Sequence, residues 1–416
     1  MKRILCIIIS CILTFSMFGC GNNEPAPETT GATAEAHYTV PSPMSTRIYT
    51  LEGEPTPEQM RQTAIQAMRD LLSIQWCTDE TIAYYKSGPV SKKRFEHKPN
   101  ETYAGTLYSN ASTGLFQFME YYDQETGKFA YPAPAYLLKD ALGNSCADSM
   151  LWGWSSVCNS IQNGFYPVLM VYSNGYLPVG DYTYNFDIKT FNQQPTNEIL
   201  KKNGEEKILQ CYMQVQPADS LVSSTDNHAM MVLEPAHVEY KADGSIDLEK
   251  SYVHIQDQRG GDGNGFYDQT IDGNVIHYSG RTSYNYPFNK LLEKNYIPVT
   301  TAEFAGTKPY EKATLTASNN ACADLDALKA TTLTANYPLA VIRVTAIDQN
   351  GTETVLERKL FGGAAETGVP RSYTLGDLPL WETFNENEAN KPGNQLRFDV
   401  IVSTGETFTP ITITLQ

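Results

Sequence analysis

A cysteine stands where the sequence marks the first turn of a helix, in the run Gly143-Asn144-Ser145-Cys146-Ala147-Asp148-Ser149-Met150-Leu151-Trp152. Ser145 is placed to cap that helix, Asp148 completes an [ST]-x-x-[DE] pattern, and Leu151, Trp154 and Val157 recur at helical spacing. Backbone N–H groups and the helix dipole at such a position favour the thiolate, the nucleophilic form of the side chain. A nucleophile needs a base, and His228 opens the apolar run of Asp226-Asn227-His228-Ala229-Met230-Met231-Val232-Leu233. A third group should then hold the far ring nitrogen. Residues 228 to 240 read as a strand, Lys241 to Ser245 as a turn carrying Asp243-Gly244, and Ser251 to Gln256 as the returning strand. That hairpin brings residue 257 back beside His228, and alternation puts Val253, Ile255 and Asp257 on one face. Asp257 is therefore the first choice. Gln256 and His254, on the other face, stay as alternatives in case Pro235 introduces a bulge and shifts the register.

A helix-borne cysteine followed by a histidine opening an apolar strand is the residue order of papain-like hydrolases. With Tyr103-Ala104-Gly105-Thr106-Leu107-Tyr108-Ser109 upstream, Asn144-Ser145-Cys146 between, and Asn227-His228-Ala229-Met230 downstream, the chain resembles the NlpC-type cell-wall cysteine peptidases over roughly residues 100 to 300. In that family a Gly-x-Pro-Tyr segment precedes an Asp-Cys-Ser-Gly helix start, and a Gly-His-Val-Gly-like strand carries the base. Here Leu107 stands in the proline's place, Ser145 in that of the acidic residue, and Ala147-Asp148 in that of Ser-Gly, with a long insertion between tyrosine and cysteine. The resemblance implies an α+β papain-like, NlpC-type catalytic domain with a Cys146-His228-Asp257 triad, and a Tyr108 that helps bind or polarise substrate. It also implies cleavage of peptide or isopeptide links in peptidoglycan stems. The Cys146 backbone N–H should contribute to the oxyanion hole.

These residues need elements to hold them. Thr56-Pro57-Glu58-Gln59 reads as a capped helix start followed by Met60, Ala64, Met68, Leu71 and Leu72 at helical spacing, a helix that should buttress the catalytic unit. Aromatic-rich Phe116–Tyr122 and Tyr131–Tyr136 read as an elaborated loop ahead of the nucleophile helix. Runs at Tyr166–Tyr172, Ile208–Val215, His228–Leu233 and Tyr252–Ile255 read as strands, and Tyr286–Tyr296 as a late helix. Trp152, Trp154, Met230 and Met231 are expected in the core. From about Lys308 the texture changes to short alternating strands, such as Ala340–Ala346 and Leu396–Val402, separated by Asn350-Gly351 and Thr404-Gly405, the pattern of an all-β immunoglobulin-like sandwich. It carries no histidine after His277, and spacing, docking or glycan contact are its expected uses, a purely structural role first among them.

Lys2 and Arg3 precede an apolar run from Ile4 to Phe18, which ends in Gly19-Cys20. That is the pattern of a bacterial lipoprotein signal, with Cys20 as the lipidated residue. The expected division is a signal peptide over 1–19, a disordered tether over 20–45, the catalytic domain over 46–307 and the sandwich over 308–416. The protein should be lipid-anchored at the cell membrane on its extracytoplasmic face. A formal net charge of −16 argues against nucleic acid as partner. Without His-Glu-x-x-His or CxxC no zinc site is expected, no cofactor is called for, and Asp262-Gly263-Asn264-Gly265 with Asp268 reads as a turn in preference to a calcium loop. Cys77, Cys158, Cys211 and Cys322 are candidates for disulfides in an oxidising compartment; Cys146 and Cys158, about 18 Å apart if they share one helix, are too far apart to be bridged. The expected protein is a monomeric surface hydrolase acting on peptidoglycan or another cell-surface peptide. A transglutaminase-like acyltransferase using the same triad and a noncatalytic glycan- or peptide-binding lipoprotein are the alternatives.

Overall fold

The cap at Thr56 closes in both directions: the Gln59 N–H reaches Thr56 Oγ1 at 3.3 Å and the Thr56 N–H reaches Gln59 Oε1 at 2.8 Å. The computed structural model describes residues 48–85, 94–131, 141–161, 176–183, 196–260, 265–362 and 369–416. The expected signal peptide, Cys20 and the tether therefore lie outside the described residues, as do the strand at 166–172 and most of the segment 131–136. The helix Pro57–Ser73 buries Met60, Ala64, Met68, Leu71 and Leu72 along one stripe. That stripe packs on the helix Cys146–Ser155 and on the strands behind it. Gly153 lets the two helices pack tightly, since a Cβ there would stand 3.0 Å from Met68 Cβ of the first helix and from Met231 Cε of the strand His228–Val232. Arg61 ties the buttressing helix to the sheet, donating from Nη1 to the Pro217 carbonyl at 2.5 Å and to Asp219 Oδ1 at 2.7 Å.

The fold is mixed α+β, with many strands and few helices. Its central sheet has six antiparallel strands in the order Gly280–Pro287, Tyr252–Gln258, His228–Val232, Ser220–Ser223, Ile297–Thr301, Tyr176–Pro178. The strand His228–Val232 is buried at every position, because both faces of the sheet are covered there. A smaller sheet joins Gln75–Trp76, Thr102–Ala104, Asn274–Tyr278 and Tyr267–Ile271. Trp152, Trp154, Met230 and Met231 are core residues, as their spacing implied.

Four elements differ from the sequence expectation. Ile208–Val215 is not a strand: residues Glu205–Tyr212 form a helix that buries Ile208, Cys211 and Tyr212, the i, i+3, i+4 set that a short apolar run conceals. Leu115–Met119, expected within a loop, is helical, and Tyr122–Asp123 pairs with Lys128–Phe129. Stacking of Phe118 on Phe129, with ring centres 4.2 Å apart, ties this aromatic segment into the main apolar core. The strand beginning at His228 ends at Val232, ahead of Pro235, and only single bridges follow at His237 and Tyr240. The late helix is confined to Phe288–Glu293, since Tyr286 and Pro287 belong to the preceding strand.

The last hundred residues supply two further antiparallel sheets, one of Leu315–Ala317, Thr332–Ala335 and Ser372–Thr374, the other of Glu353–Leu360, Leu339–Ile347, Gln395–Val402 and Thr407–Thr414. They share one continuous apolar core with the earlier part of the chain. Polar contacts also cross the junction: Ser403 Oγ donates to the Ser155 carbonyl at 2.6 Å, Tyr337 to the Val157 carbonyl at 3.1 Å, and Gln117 Nε2 to the Phe361 carbonyl at 2.7 Å. The Glu120 carboxylate, its side chain almost fully buried, is gripped by Arg343 and Arg358. Because the two guanidiniums keep partial contact with water, Glu120→Gln should lower stability by about 1–2 kcal/mol, less than a fully buried pair would cost. Urea unfolding checks this: an unchanged midpoint would mean that the carboxylate contributes nothing across the junction.

Candidate active site

Cys146 occupies the first position of its helix, as its sequence context predicts. The cap is made by half: Asp148 Oδ2 accepts the Ser145 N–H at 3.0 Å and the Ser145 hydroxyl at 2.7 Å, while the Ser145 side chain caps no backbone group. The strand leading into the helix is held by parallel pairing of Gly143–Asn144 with Leu107–Tyr108, and by the Asn144 amide donating to Thr106 Oγ1 at 3.2 Å and the Thr113 carbonyl at 3.0 Å. Only glycine fits at 143, since a Cβ there would strike the Leu107 carbonyl.

The Cys146 Sγ lies 3.8 Å from the carbonyl oxygen of Asn227, the residue before His228, at a range suited to a thiol donor. Asn227 has φ +48°, a left-handed turn that sends the chain into the His228 strand. His228 Nε2 sits 2.7 Å from Asp257 Oδ2. The register Met231 to Gln256 and Val232 to Ile255 places Asp257 opposite Met230, two residues along the same face from His228, a diagonal cross-strand pair. A bulge does occur, but between Ile255 and Asp257 on the side facing Gly280–Pro287. It leaves Gln256, Asp257 and Gln258 all buried.

The alternatives for the third position are engaged elsewhere. Gln256 Nε2 donates to the Ile65 carbonyl of the buttressing helix at 3.1 Å, and His254 Nε2 meets Ser283 Oγ at 2.6 Å. Tyr108 pairs in register with Asn144, two residues before the cysteine, and its ring packs on Phe95 with centres 5.9 Å apart. Gly260, at φ +62°, runs against that ring: a Cβ on it would stand 3.3 Å from Tyr108 Cγ. Cys146, His228, Asp257 and Tyr108 are thus gathered in one region. All four are buried, Cys146 being 3% exposed, so a substrate carbonyl reaches its sulfur only if its cover moves.

Sequence reading missed the cations around this group. Arg281 donates to both carboxylate oxygens of Asp257, from Nε to Oδ1 at 2.9 Å and from Nη2 to Oδ2 at 2.5 Å. Its guanidinium also lies 4.1 Å from the ring centre of Tyr284. Arg259 stands 3.6 Å from Asp226, which also accepts the Tyr296 hydroxyl at 2.7 Å. The available signal was an arginine inside the strand-like run Gly280–Pro287, informative only once residue 281 is known to pair with residue 257.

Burial alone would raise the Asp257 carboxyl, but the charge and hydrogen bonds of Arg281, joined by His228, hold it well below the usual carboxylate range. Asp148 lies at the other limit. Burial pushes its carboxyl up to about 6, against the hydrogen bonds from Ser145 and Ser112. Among the described residues no cluster of three or more His, Cys, Asp or Glu is arranged to hold a metal ion, and Asp268 engages His277 at 2.8 Å; residues 262–264 lie outside the described residues. No disulfide joins Cys77, Cys158, Cys211 or Cys322, so the expected candidates stand as thiols. No described helix is long and apolar enough to cross a membrane. Neither a protein-family model, nor a curated protein, nor a solved structure matches this chain.

The two carboxylates have opposite linkage. Asp257, depressed on folding, contributes stability above its unfolded value that is lost as pH falls. Asp148, raised on folding, favours the native state most below its ordinary value of 3.8, and that contribution is lost as pH rises through about 6. Asp148→Asn should therefore gain on the wild type between those two pH values, by about 1–3 kcal/mol in unfolding free energy, and hold a constant difference above them. Denaturant melts across pH 4 to 7 provide the check, and a pH-independent difference would refute a protonated Asp148.

Proposed function

We propose that this protein is a cysteine hydrolase, an endopeptidase acting on peptidoglycan stem peptides or a related cell-surface peptide. The single observation that carries this reading is the convergence of three distant segments: the Cys146 sulfur against the Asn227 carbonyl, and the adjoining His228 with Nε2 on Asp257. With Asp257 holding Nε2, Nδ1 is the ring nitrogen that would exchange a proton with the sulfur. Cys146 attacks the scissile carbonyl, His228 protonates the leaving amine, and His228 then activates water to release the thioester. The helix start supplies backbone N–H groups to the developing oxyanion, and Tyr108 borders the substrate.

In this reading residues 46–307 form the papain-like, NlpC-type unit and residues 308–416 the immunoglobulin-like sandwich, while lipid on Cys20 tethers both outside the cell membrane. The closed sulfur lends support to a second reading, in which the same triad passes the acyl group to an amine in place of water, because exclusion of water favours transfer over hydrolysis. A noncatalytic peptide- or glycan-binding protein would make no use of the hydrogen-bonded His228-Asp257 pair. Digestion of purified peptidoglycan followed by mass spectrometry of the muropeptides separates these readings. The wild type should release shortened stems, Cys146→Ala none, and His228→Ala should be slower by about 10²–10⁴-fold. Amine adducts in place of shortened stems would establish transfer. A wild type that binds the polymer and leaves it unchanged would leave only the binding protein.

A further inference from the structure

We propose that Arg281 is a positioning residue that converts Asp257 into an electrically neutral orienter of His228. The inference rests on the triad reading above, and extends it to the charge state of the site. Arg281 and Asp257 face each other across paired strands, at 281 opposite 257 in the register, with both guanidinium-to-carboxylate bonds made inside the fold. Gly280 allows this approach, since a Cβ there would stand 2.5 Å from the Asp257 carbonyl oxygen. A bidentate guanidinium–carboxylate unit carries no net charge. Asp257 keeps one lone-pair direction for His228 Nε2–H, yet the negative charge that would otherwise draw a proton onto the ring is offset within 3 Å. The imidazole is then held as the neutral Nε2–H tautomer, and the sulfur as a thiol whose proton points to the Asn227 carbonyl.

The other charged or titratable groups around the ring reinforce that balance. Asp226, two residues ahead of His228 and acting on it, is matched by Arg259, and accepts from Tyr296. Tyr267 and Tyr284 line the Arg281 guanidinium, and burial pushes the nearby Tyr286 hydroxyl up to about 12. Cys146, on the nucleophile helix, is a further titratable neighbour, its sulfur on the carbonyl of the residue before His228. The site is thus built of two compensated acid–base pairs, and the resting Cys146-His228 couple is neutral, not an ion pair. Thiolate forms when substrate enters and the thiol proton moves to Nδ1.

The test is a ¹⁵N NMR titration of the His228 imidazole in the full chain, read in the wild type, Arg281→Met, Asp257→Asn and the double variant. Removing only Arg281 leaves an uncompensated carboxylate, and should raise the ring's pKa by at least about one unit. Asp257→Asn leaves an uncompensated guanidinium and should lower it. The double variant replaces a neutral unit by another neutral unit, and should return the titration to near the wild-type midpoint. Its Cys146 alkylation by iodoacetamide should be at least about tenfold faster than that of Asp257→Asn. Arg281→Lys, which keeps the charge, should behave like wild type in the titration. The inference is overturned if Arg281→Met leaves the ring's midpoint in place, or if the double variant titrates like either single one. Because the titration needs no substrate, inactivity toward peptidoglycan would defeat the proposed function and leave this result standing. A thermal melt of each variant confirms that the compared chains are folded.

Discussion

A single carboxylate with no access to water, Asp257, holds together the part of this molecule that chemistry could use. Its charge survives burial only because Arg281 grips both oxygens, and one of those oxygens fixes the ring of His228. Everything around that junction is arranged to keep three strands in one register. The bulge between Ile255 and Asp257 brings consecutive side chains inward, the glycine at 280 lets the neighbouring strand press close, and Pro57–Ser73 closes the opposite face through Gln256. An apolar residue at 257 would pack as well, and would orient nothing.

The cysteine side depends on a different constraint, the end of a helix. Cys146 is where it is because Gly143 and Asn144 can lie flat beside Leu107 and Tyr108, and because Asp148 ties down Ser145. The thiol and the imidazole belong to rigid elements whose contact is fixed by packing between Gly153, Met68 and Met231. The two side chains need no loop to bring them together.

Much of this was legible in the sequence, for identifiable reasons. The cap at Thr56, the Asp148 half of the cap at Ser145, the hairpin that returns residue 257 to His228, and the alternation that favours Asp257 over Gln256 and His254 are local rules, and local rules can be read from a string of residues. Arg281 could not be read that way, because its importance is a property of a pairing between strands separated by two further strands of a different sheet. The helix Glu205–Tyr212 was hidden by an apolar run too short to declare its period, and the helix at Leu115–Met119 by aromatic residues that favour strands and cores alike. The texture change near Lys308 pointed to short strands, which the region has, yet gave no hint that Ser403 would reach back to the helix bearing the cysteine.

That last contact has a consequence for how the molecule comes into being. Ser403 and the strand Thr407–Thr414 leave the ribosome after every other group discussed, yet the carbonyl at the tail of the nucleophile helix is bound only when they arrive. Contacts spanning some 250 residues are among the last to form in a chain made from one end. Maturation of the cysteine's surroundings is thereby linked to synthesis of the chain through Ser403, and a copy cut short before that residue carries the thiol without this contact.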